Sequence, residues 1–175
     1  MSGSRSTPAP ASTWAGPESA RRTPLTENLE RTRPVSPKGP ADPVGSRREA
    51  RETALGILYA AEAQGSDLRQ VLAERPVAPP EYALGLVEGL ADGLAEVDAL
   101  VGRFAEGWST DRMPVVDRAL VRMAVFELLH RPDVPTAAVL AEVVEMAGDY
   151  STERSSRFVN GVVAAVADEV RGDVG

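Results

Sequence analysis

Cysteine is missing from this sequence of 175 residues, and histidine and lysine occur once each, as His130 and Lys38. The absence of cysteine excludes disulfides, thiolate nucleophiles, iron–sulfur clusters and thiolate zinc sites. Because the one lysine lies outside the part of the chain that we expect to fold, a Schiff-base amine and a phosphate-loop lysine are excluded too. We therefore expect a protein that is not an enzyme and that holds no metal and no cofactor.

Long apolar runs are missing as well. No stretch of 18 or more apolar residues occurs, and the N-terminus lacks the charged start and apolar stretch of a signal peptide. We therefore expect a cytoplasmic protein that neither enters nor crosses a membrane.

Positive charge is scarce and unevenly distributed, and the formal net charge is -7. Residues 1–44 carry six cations and four acids, whereas residues 45–175 carry 13 cations and 22 acids. Since an acidic domain repels nucleic acid on average, any RNA contact must come from a local group of arginines. Residues 1–44 are also rich in proline, with few large apolar side chains, and this composition predicts a disordered tail.

Helical periodicity begins at Ser46, where Ser46 and Glu49 have the spacing of a capping box. Apolar residues then recur at helical spacing, and no segment alternates like a strand. The pattern predicts an all-α fold, a single compact bundle of about six or seven helices over residues 45–171, followed by a C-terminal tail at 172–175. The expected helices end at Gly65, span 67–74, end near Phe104, run from Pro114 to His130, run from a Thr136 cap to Gly148, and run from a Ser151 cap to Arg171.

Gly85, Gly89 and Gly93 recur every four residues in the predicted long helix. Glycine lowers helix stability, so we expect these residues to form a bare ridge against which another helix packs closely. They do not form a dinucleotide-binding fingerprint, because no strand precedes them.

Two other features that could carry chemistry have simpler explanations. His130 ends a predicted helix beside Arg131, where a cation interacts favourably with the helix dipole. Glu142 and Glu145 lie three residues apart on a predicted helix, without the histidine that a di-iron motif requires. We expect a solvated helix face there.

Arg47, Arg48 and Arg51 form a cluster of cations at the start of the first predicted helix. A helix N-terminus carries partial positive charge, so arginines there forgo about 0.3 to 1 kcal/mol each that acids would gain. A bound anion would reverse this, because free N–H groups and guanidinium groups together hold phosphate. Ordinary surface arginines beside Glu49 and Glu52 explain the cluster equally well, and the residues alone leave both interpretations open.

Three strings resemble the signature segments of one family, in the same order and with fitting spacing. They are R-R-E-A-R-E-T-A-L-G-I-L-Y-A-A-E at residues 47–62, D-R-A-L-V-R-M-A-V-F-E-L at 117–128 and R-F-V-N-G-V at 157–162. Over about residues 46–167 the chain is similar to the NusB family of transcription antitermination factors, and F-V-N-G-V is a fairly specific string of that family.

The resemblance implies a non-catalytic protein that binds boxA-type single-stranded RNA of nascent ribosomal transcripts. It also implies that the protein pairs with NusE, a small-subunit ribosomal protein, and joins the RNA polymerase antitermination complex. Phe158 would stack on a base while arginines meet phosphates. Tyr59 and Asp117 would lie on the face that receives NusE. The implied RNA contacts are Arg47, Arg48, Arg51, Arg122, Arg157, Phe158 and Asn160.

Three positions depart from the family pattern. Glu49 interrupts an arginine run that is often denser in relatives, and we expect it to weaken RNA affinity. Ala141 stands where the family often has asparagine, and Gly148 stands where it often has lysine. Both positions bear on binding or packing.

Two other functions are compatible with the same fold. A protein-interaction module without its own RNA binding would leave the arginines as solvated surface, Phe158 as core and Asn160 as part of a tight helix contact. The RNA-targeting domain of a ribosomal RNA methyltransferase is a weaker alternative, because no room for a methyl-donor fold remains after the helical region. The resemblance also leaves open a monomer and a homodimer, and the homodimer would hide the RNA face.

Overall fold

Six α-helices and one short 3-10 helix make up residues 43–172, the part of the chain that the computed structural model describes. This range contains no strand, and none of its helices is long and apolar enough to span a bilayer. The predicted all-α fold is confirmed, while most of the predicted tails, at 1–42 and 173–175, lie outside the described residues. The helices are α1 (Pro43–Gln64), α2 (Leu68–Ala73), α3 (Glu81–Phe104), the 3-10 helix (Thr110–Arg112), α4 (Val115–His130), α5 (Thr136–Tyr150) and α6 (Glu153–Arg171).

Several predicted helix ends differ from the structure. The first helix begins at Pro43 rather than Ser46, because proline lacks only an N–H that the first turn leaves unbonded anyway. Gly148 does not stop α5, which continues to Tyr150. The cap of α6 is Thr152 rather than Ser151, since the Thr152 hydroxyl accepts the Ser155 N–H at 3.1 Å.

Thr136 is likewise not a cap but the first residue of α5, which follows Pro135. By contrast, Gly65 ends α1 as predicted. Its φ of +62° lies in the left-handed region that glycine adopts without strain.

Helix α4 lies at the centre of the bundle and packs against α1, α3, α5 and α6. Its apolar residues are buried on all sides, as expected for a helix that is surrounded by others. Leu120 and Met123 of α4 meet a core that includes Leu86 and Leu90 of α3 and Met146 of α5, all fully buried. Any polar side chain on α4 therefore enters the interior unless it lies near a helix end.

The predicted glycine ridge on α3 is confirmed only in part. A Cβ built at Gly89 would overlap the ring of Phe126 on α4, so the two helices approach closely there. A Cβ at Gly85 would overlap the guanidinium of Arg131. At Gly93 the nearest atom would be a Glu96 carboxylate oxygen at 3.9 Å, so no other helix packs on that position.

This difference gives a matched pair of variants. Gly89→Ala is expected to lower the free energy of unfolding by about 2 kcal/mol, because displacement of the buried Phe126 ring outweighs the gain in helix propensity. Gly93→Ala is expected to raise it by up to about 1 kcal/mol. Urea denaturation followed by circular dichroism measures both, and equal shifts in the same direction would contradict close packing at Gly89.

Candidate nucleic-acid interface

Helix α1 carries the three clustered arginines, but not in its first turn. Because the helix begins at Pro43, its first turn, whose N–H groups have no partner within the helix, ends before Arg47. Arg47, Arg48 and Arg51 follow in the second and third turns. The predicted pairing of these guanidinium groups with a helix N-terminus therefore does not fit the structure.

Arg51 lies in the interior, with 3% of its surface exposed. Its Nη2 and Nε donate to the Glu127 carboxylate of α4 at 2.8 and 3.0 Å, and Glu127 is 1% exposed. The Tyr82 hydroxyl of α3 donates to the same carboxylate. Arg51 therefore joins α1 to α4, and its predicted RNA contact stays a prediction.

The protonation states of this buried network favour the contacts. Burial and the hydrogen bond to Glu127 raise the pKa of the Tyr82 hydroxyl, so Tyr82 remains a donor. Burial alone would lower the pKa of Arg51, but the hydrogen bond to Glu127 and its negative charge outweigh burial and raise it. The Glu127 carboxylate thus accepts hydrogen bonds from a neutral hydroxyl, that of Tyr82, and from a cation, the Arg51 guanidinium.

Arg48 is surrounded by carboxylates. Its guanidinium lies 2.9 Å from Glu52 and 2.8 Å from Asp149, with Glu142 and Glu145 each at 3.5 Å. Three of these acids belong to α5, so Arg48 ties α1 to α5. A phosphate approaching Arg48 would meet net negative charge.

Arg47 is the most exposed of the three, with 35% of its side chain accessible. It pairs with Asp133 at 3.0 Å and lies over the Tyr82 ring, 5.4 Å from the centroid. Arg131 covers the same ring at 5.2 Å. Because its exposed ion pair with Asp133 is weak, the Arg47 side chain is free to change rotamer and bind a phosphate.

Arg122, the next predicted RNA contact, is also occupied by acids. Its Nε and Nη2 donate to Asp98 of α3 at 2.8 and 2.7 Å, and Glu62 of α1 lies 3.3 Å away. Glu62 also pairs with Arg118 at 2.8 Å. With 15% of its side chain exposed, Arg122 connects α1, α3 and α4.

The predicted residues on α6 are accessible. The Arg157 side chain is 83% exposed and its only ion pair with a described residue, to Glu153, is 3.4 Å long. Asn160 is exposed, which argues against a tight helix contact at that position. Phe158 is half-buried rather than plain core, and its ring lies 6.1 Å from that of Trp108.

Trp108 was not singled out from the sequence, although its side chain is the most exposed aromatic group among the described residues, at 52%. It follows a turn in which Glu106 and Gly107 both have positive φ, +31° and +82°. The available signal was a tryptophan between the predicted helix that ends near Phe104 and the one that begins at Pro114. Together Trp108 and Phe158 place two aromatic rings at the surface beside Arg157.

The model of the NusB family matches residues 48–168. The chain belongs to the NusB family. The transcription antitermination protein NusB of Acidothermus cellulolyticus is 48% identical over 127 residues, which cover 69% of this chain and 86% of that protein. NusB of Salinispora tropica is 46% identical over 130 residues, covering 70% and 96%. Both relatives are named as transcription antitermination proteins.

Solved structures of NusB proteins share the fold. The structure of T. maritima NusB matches with a TM-score of 0.64 and 34% identity, covering 70% of this chain and 91% of that one. A chain in the crystal structure of antitermination factors NusB and NusE in complex with dsRNA matches with a TM-score of 0.62 and 27% identity, covering 71% and 98%. The described helices therefore span nearly all of a NusB fold.

The three departures from the NusB pattern all lie on the surface. Glu49, Ala141 and Gly148 are exposed. A Cβ at Gly148 would come within 3.3 Å of the Ser156 hydroxyl, so a larger side chain there would press on α6. No packing defect follows from Glu49 or Ala141.

The two residues predicted to meet NusE have different surroundings. Tyr59 on α1 is half-buried. Asp117 is 3% exposed, and its Oδ1 has no hydrogen-bond partner among the described residues. Asp117 shares the lining of a cavity with Phe158. The structure thus brings a residue predicted for the protein partner beside one predicted for RNA.

Proposed function

We propose that this chain is a transcription antitermination factor that binds boxA-type single-stranded RNA together with NusE and supports ribosomal RNA transcription in the RNA polymerase antitermination complex. The observation that carries the proposal is the match to a chain of the NusB–NusE–dsRNA crystal structure, which covers 98% of that chain. Membership of the family supports it.

The charges of the described residues favour a small RNA-binding face. Arg51 is buried, and Arg48 and Arg122 are held by carboxylates from neighbouring helices. Arg157 and Arg47 retain the most accessible guanidinium groups of the predicted set. We therefore place the RNA along α6, at Arg157, Phe158 and Asn160, with Arg47 as a further phosphate contact.

The dependence of RNA affinity on salt tests this placement. Each phosphate contact to a single strand contributes about -0.7 to the log–log slope, so two arginines predict roughly -1.4 and all five predict roughly -3.5. We expect the shallower value in a fluorescence anisotropy titration with a labelled boxA-like RNA in the presence of NusE. A slope near the steeper value would mean that the acid-paired arginines open to meet RNA.

Variants identify the residues. Arg157→Ala is expected to weaken RNA binding several-fold and to make the slope shallower by about one contact. Arg69→Ala is the matched control, since Arg69 is exposed on α2 and paired with Asp92. A duplex of the same sequence, titrated in parallel, distinguishes single-strand from double-strand preference.

A protein-interaction module without RNA binding is the second candidate. It is favoured by the neutralisation of Arg48, Arg51 and Arg122 by acids of this same chain. Retention of NusE binding with no RNA binding at any salt concentration would support it and would overturn the proposal above.

A further inference from the structure

Trp108 and Phe158 form an aromatic pair whose rings are tilted by 52°. Trp108 is held at the surface by the turn at Glu106 and Gly107, and Glu106 is the only non-glycine residue with positive φ in the described range. Such backbone conformations cost energy and persist where the surrounding structure enforces them, often at functional sites. An exposed tryptophan on a strained turn therefore requires an explanation beyond packing.

Two cavities adjoin the aromatic pair. The first, which we call the α3–α6 cavity, has a volume of about 430 Å³. Its lining includes Phe104, Glu106, Trp108, Arg157, Phe158 and Gly161.

The second, the α4–α6 cavity, has a volume of about 330 Å³. Trp108 and Phe158 line both, so the two rings stand between the cavities. The lining of the second includes Trp108, Pro114, Asp117, Thr152, Arg154 and Phe158.

The chemistry of each cavity fits a nucleotide. Both volumes lie within the range of about 300 to 1,000 Å³ that is usual for small-molecule sites. Each combines aromatic rings with one exposed arginine, Arg157 in the α3–α6 cavity and Arg154 in the α4–α6 cavity. In a nucleotide, the flat base can stack on an aromatic ring while the phosphate pairs with the arginine guanidinium.

Asp117 provides an independent indication of a ligand. It lines the α4–α6 cavity, is 3% exposed, and leaves Oδ1 without a hydrogen-bond partner among the described residues. A buried acceptor without a donor is costly. A donor delivered by an amino group of a base in this cavity would satisfy it.

We propose that Trp108 and Phe158 form a two-sided stacking platform that holds two unstacked, adjacent bases of single-stranded RNA, one in each cavity. Arg154 and Arg157 meet the flanking phosphates, so Arg154 adds a third contact to the two proposed above and steepens the expected log–log slope to about -2.1. The inference rests on the proposed function and adds to it a base-binding residue, Trp108, that lies outside the three signature strings. Paired bases of a duplex cannot enter the cavities in this way, so the platform selects single strands.

The fluorescence of Trp108 reports on stacking directly. The chain has two tryptophans, so Trp14→Phe in the full chain leaves Trp108 as the only one. We expect a boxA-like single-stranded RNA, added with NusE, to quench Trp108 emission along the same curve as binding seen by anisotropy.

Affinity supplies the second readout. Trp108→Ala is expected to weaken RNA binding roughly 5- to 150-fold, the range for loss of one stacked base, whereas Trp108→Phe retains most of the affinity. Val77→Ala, at a second large apolar residue that is exposed in the described range, is the control and leaves affinity unchanged. Thermal unfolding by circular dichroism confirms that each variant is folded.

RNA with single abasic positions locates the bases. Two adjacent abasic substitutions are expected to weaken binding to the parent chain and to have little further effect on Trp108→Ala. RNA binding without quenching, together with full affinity of Trp108→Ala, would overturn the platform and leave the proposed function standing. Loss of NusE binding but not RNA binding in Trp108→Ala would assign the surface to the protein partner, and no RNA binding by the parent chain would overturn both.

Discussion

Glu127→Ala is expected to lower the free energy of unfolding by about 3 to 5 kcal/mol, the range for removal of one partner of a buried ion pair. The substitution leaves the Arg51 guanidinium charged, 3% exposed and without its carboxylate, and it removes the acceptor of the Tyr82 hydroxyl. Urea denaturation measures the loss. The expected effect is large because charge, not side-chain volume, is left uncompensated in the interior.

A double variant separates charge from packing. The free energy of unfolding of the double variant Arg51→Met, Glu127→Leu is expected to lie within about 2 kcal/mol of that of the parent. Apolar side chains can replace a buried ion pair at little cost. Arg103→Ala is the control, because it breaks an exposed pair with Glu169 and costs less than about 1 kcal/mol. If the double variant were as unstable as Glu127→Ala, the loss of stability would not come from the unpaired charge of Arg51 alone.

Arg171→Met is expected to lower the free energy of unfolding by about 3 kcal/mol, because hydrogen bonds to a charged donor contribute about 1.5 to 3 kcal/mol each and water replaces some of them. The side chain uses all five of its N–H donors. Four donate to the carbonyls of Glu127, Leu128, Arg131 and Val134 at 2.6 to 2.9 Å, and one donates to the Thr136 hydroxyl at 3.2 Å. Arg171 thereby closes the end of α4 and the connection to α5.

A conservative variant tests whether stability depends on the planar guanidinium group of Arg171 or only on its charge. Arg171→Lys keeps the charge but offers three donors from one atom, so we expect it to recover no more than about half of the loss. Thermal and urea unfolding of both variants would measure this. Full stability of Arg171→Lys would show that the charge at the helix end suffices.

Periodicity was enough to predict where the helices lie, because apolar residues recur at helical spacing along the longer segments. Helix ends were harder to predict, because several neighbouring residues can each begin a helix. Pro43 begins α1 where Ser46 was expected, and Thr152 caps α6 where Ser151 was expected. The Gly148 prediction was wrong because an exposed glycine can continue a helix at modest cost.

The candidate site was predictable only as a set of residues. Arg51 and Glu127 are 76 residues apart, so no local pattern reveals that the arginine is buried against that acid. The same holds for Arg122 and Asp98, which lie on different helices. Trp108 has no periodic neighbours at all, and only the fold places its ring beside Phe158.

Each arginine of α1 that the structure describes faces a carboxylate from another helix: Arg47 faces Asp133, Arg48 faces Asp149 and Arg51 faces Glu127. Natural selection for a stable fold would therefore preserve Arg48 and Arg51, which are less exposed than Arg47, even in a protein that did not bind RNA. The presence of these arginines in a sequence therefore does not show whether they were kept for RNA binding or for stability. If Trp108 and Phe158 form the proposed platform, substitutions at these two residues would be the earlier sign that RNA binding had been lost.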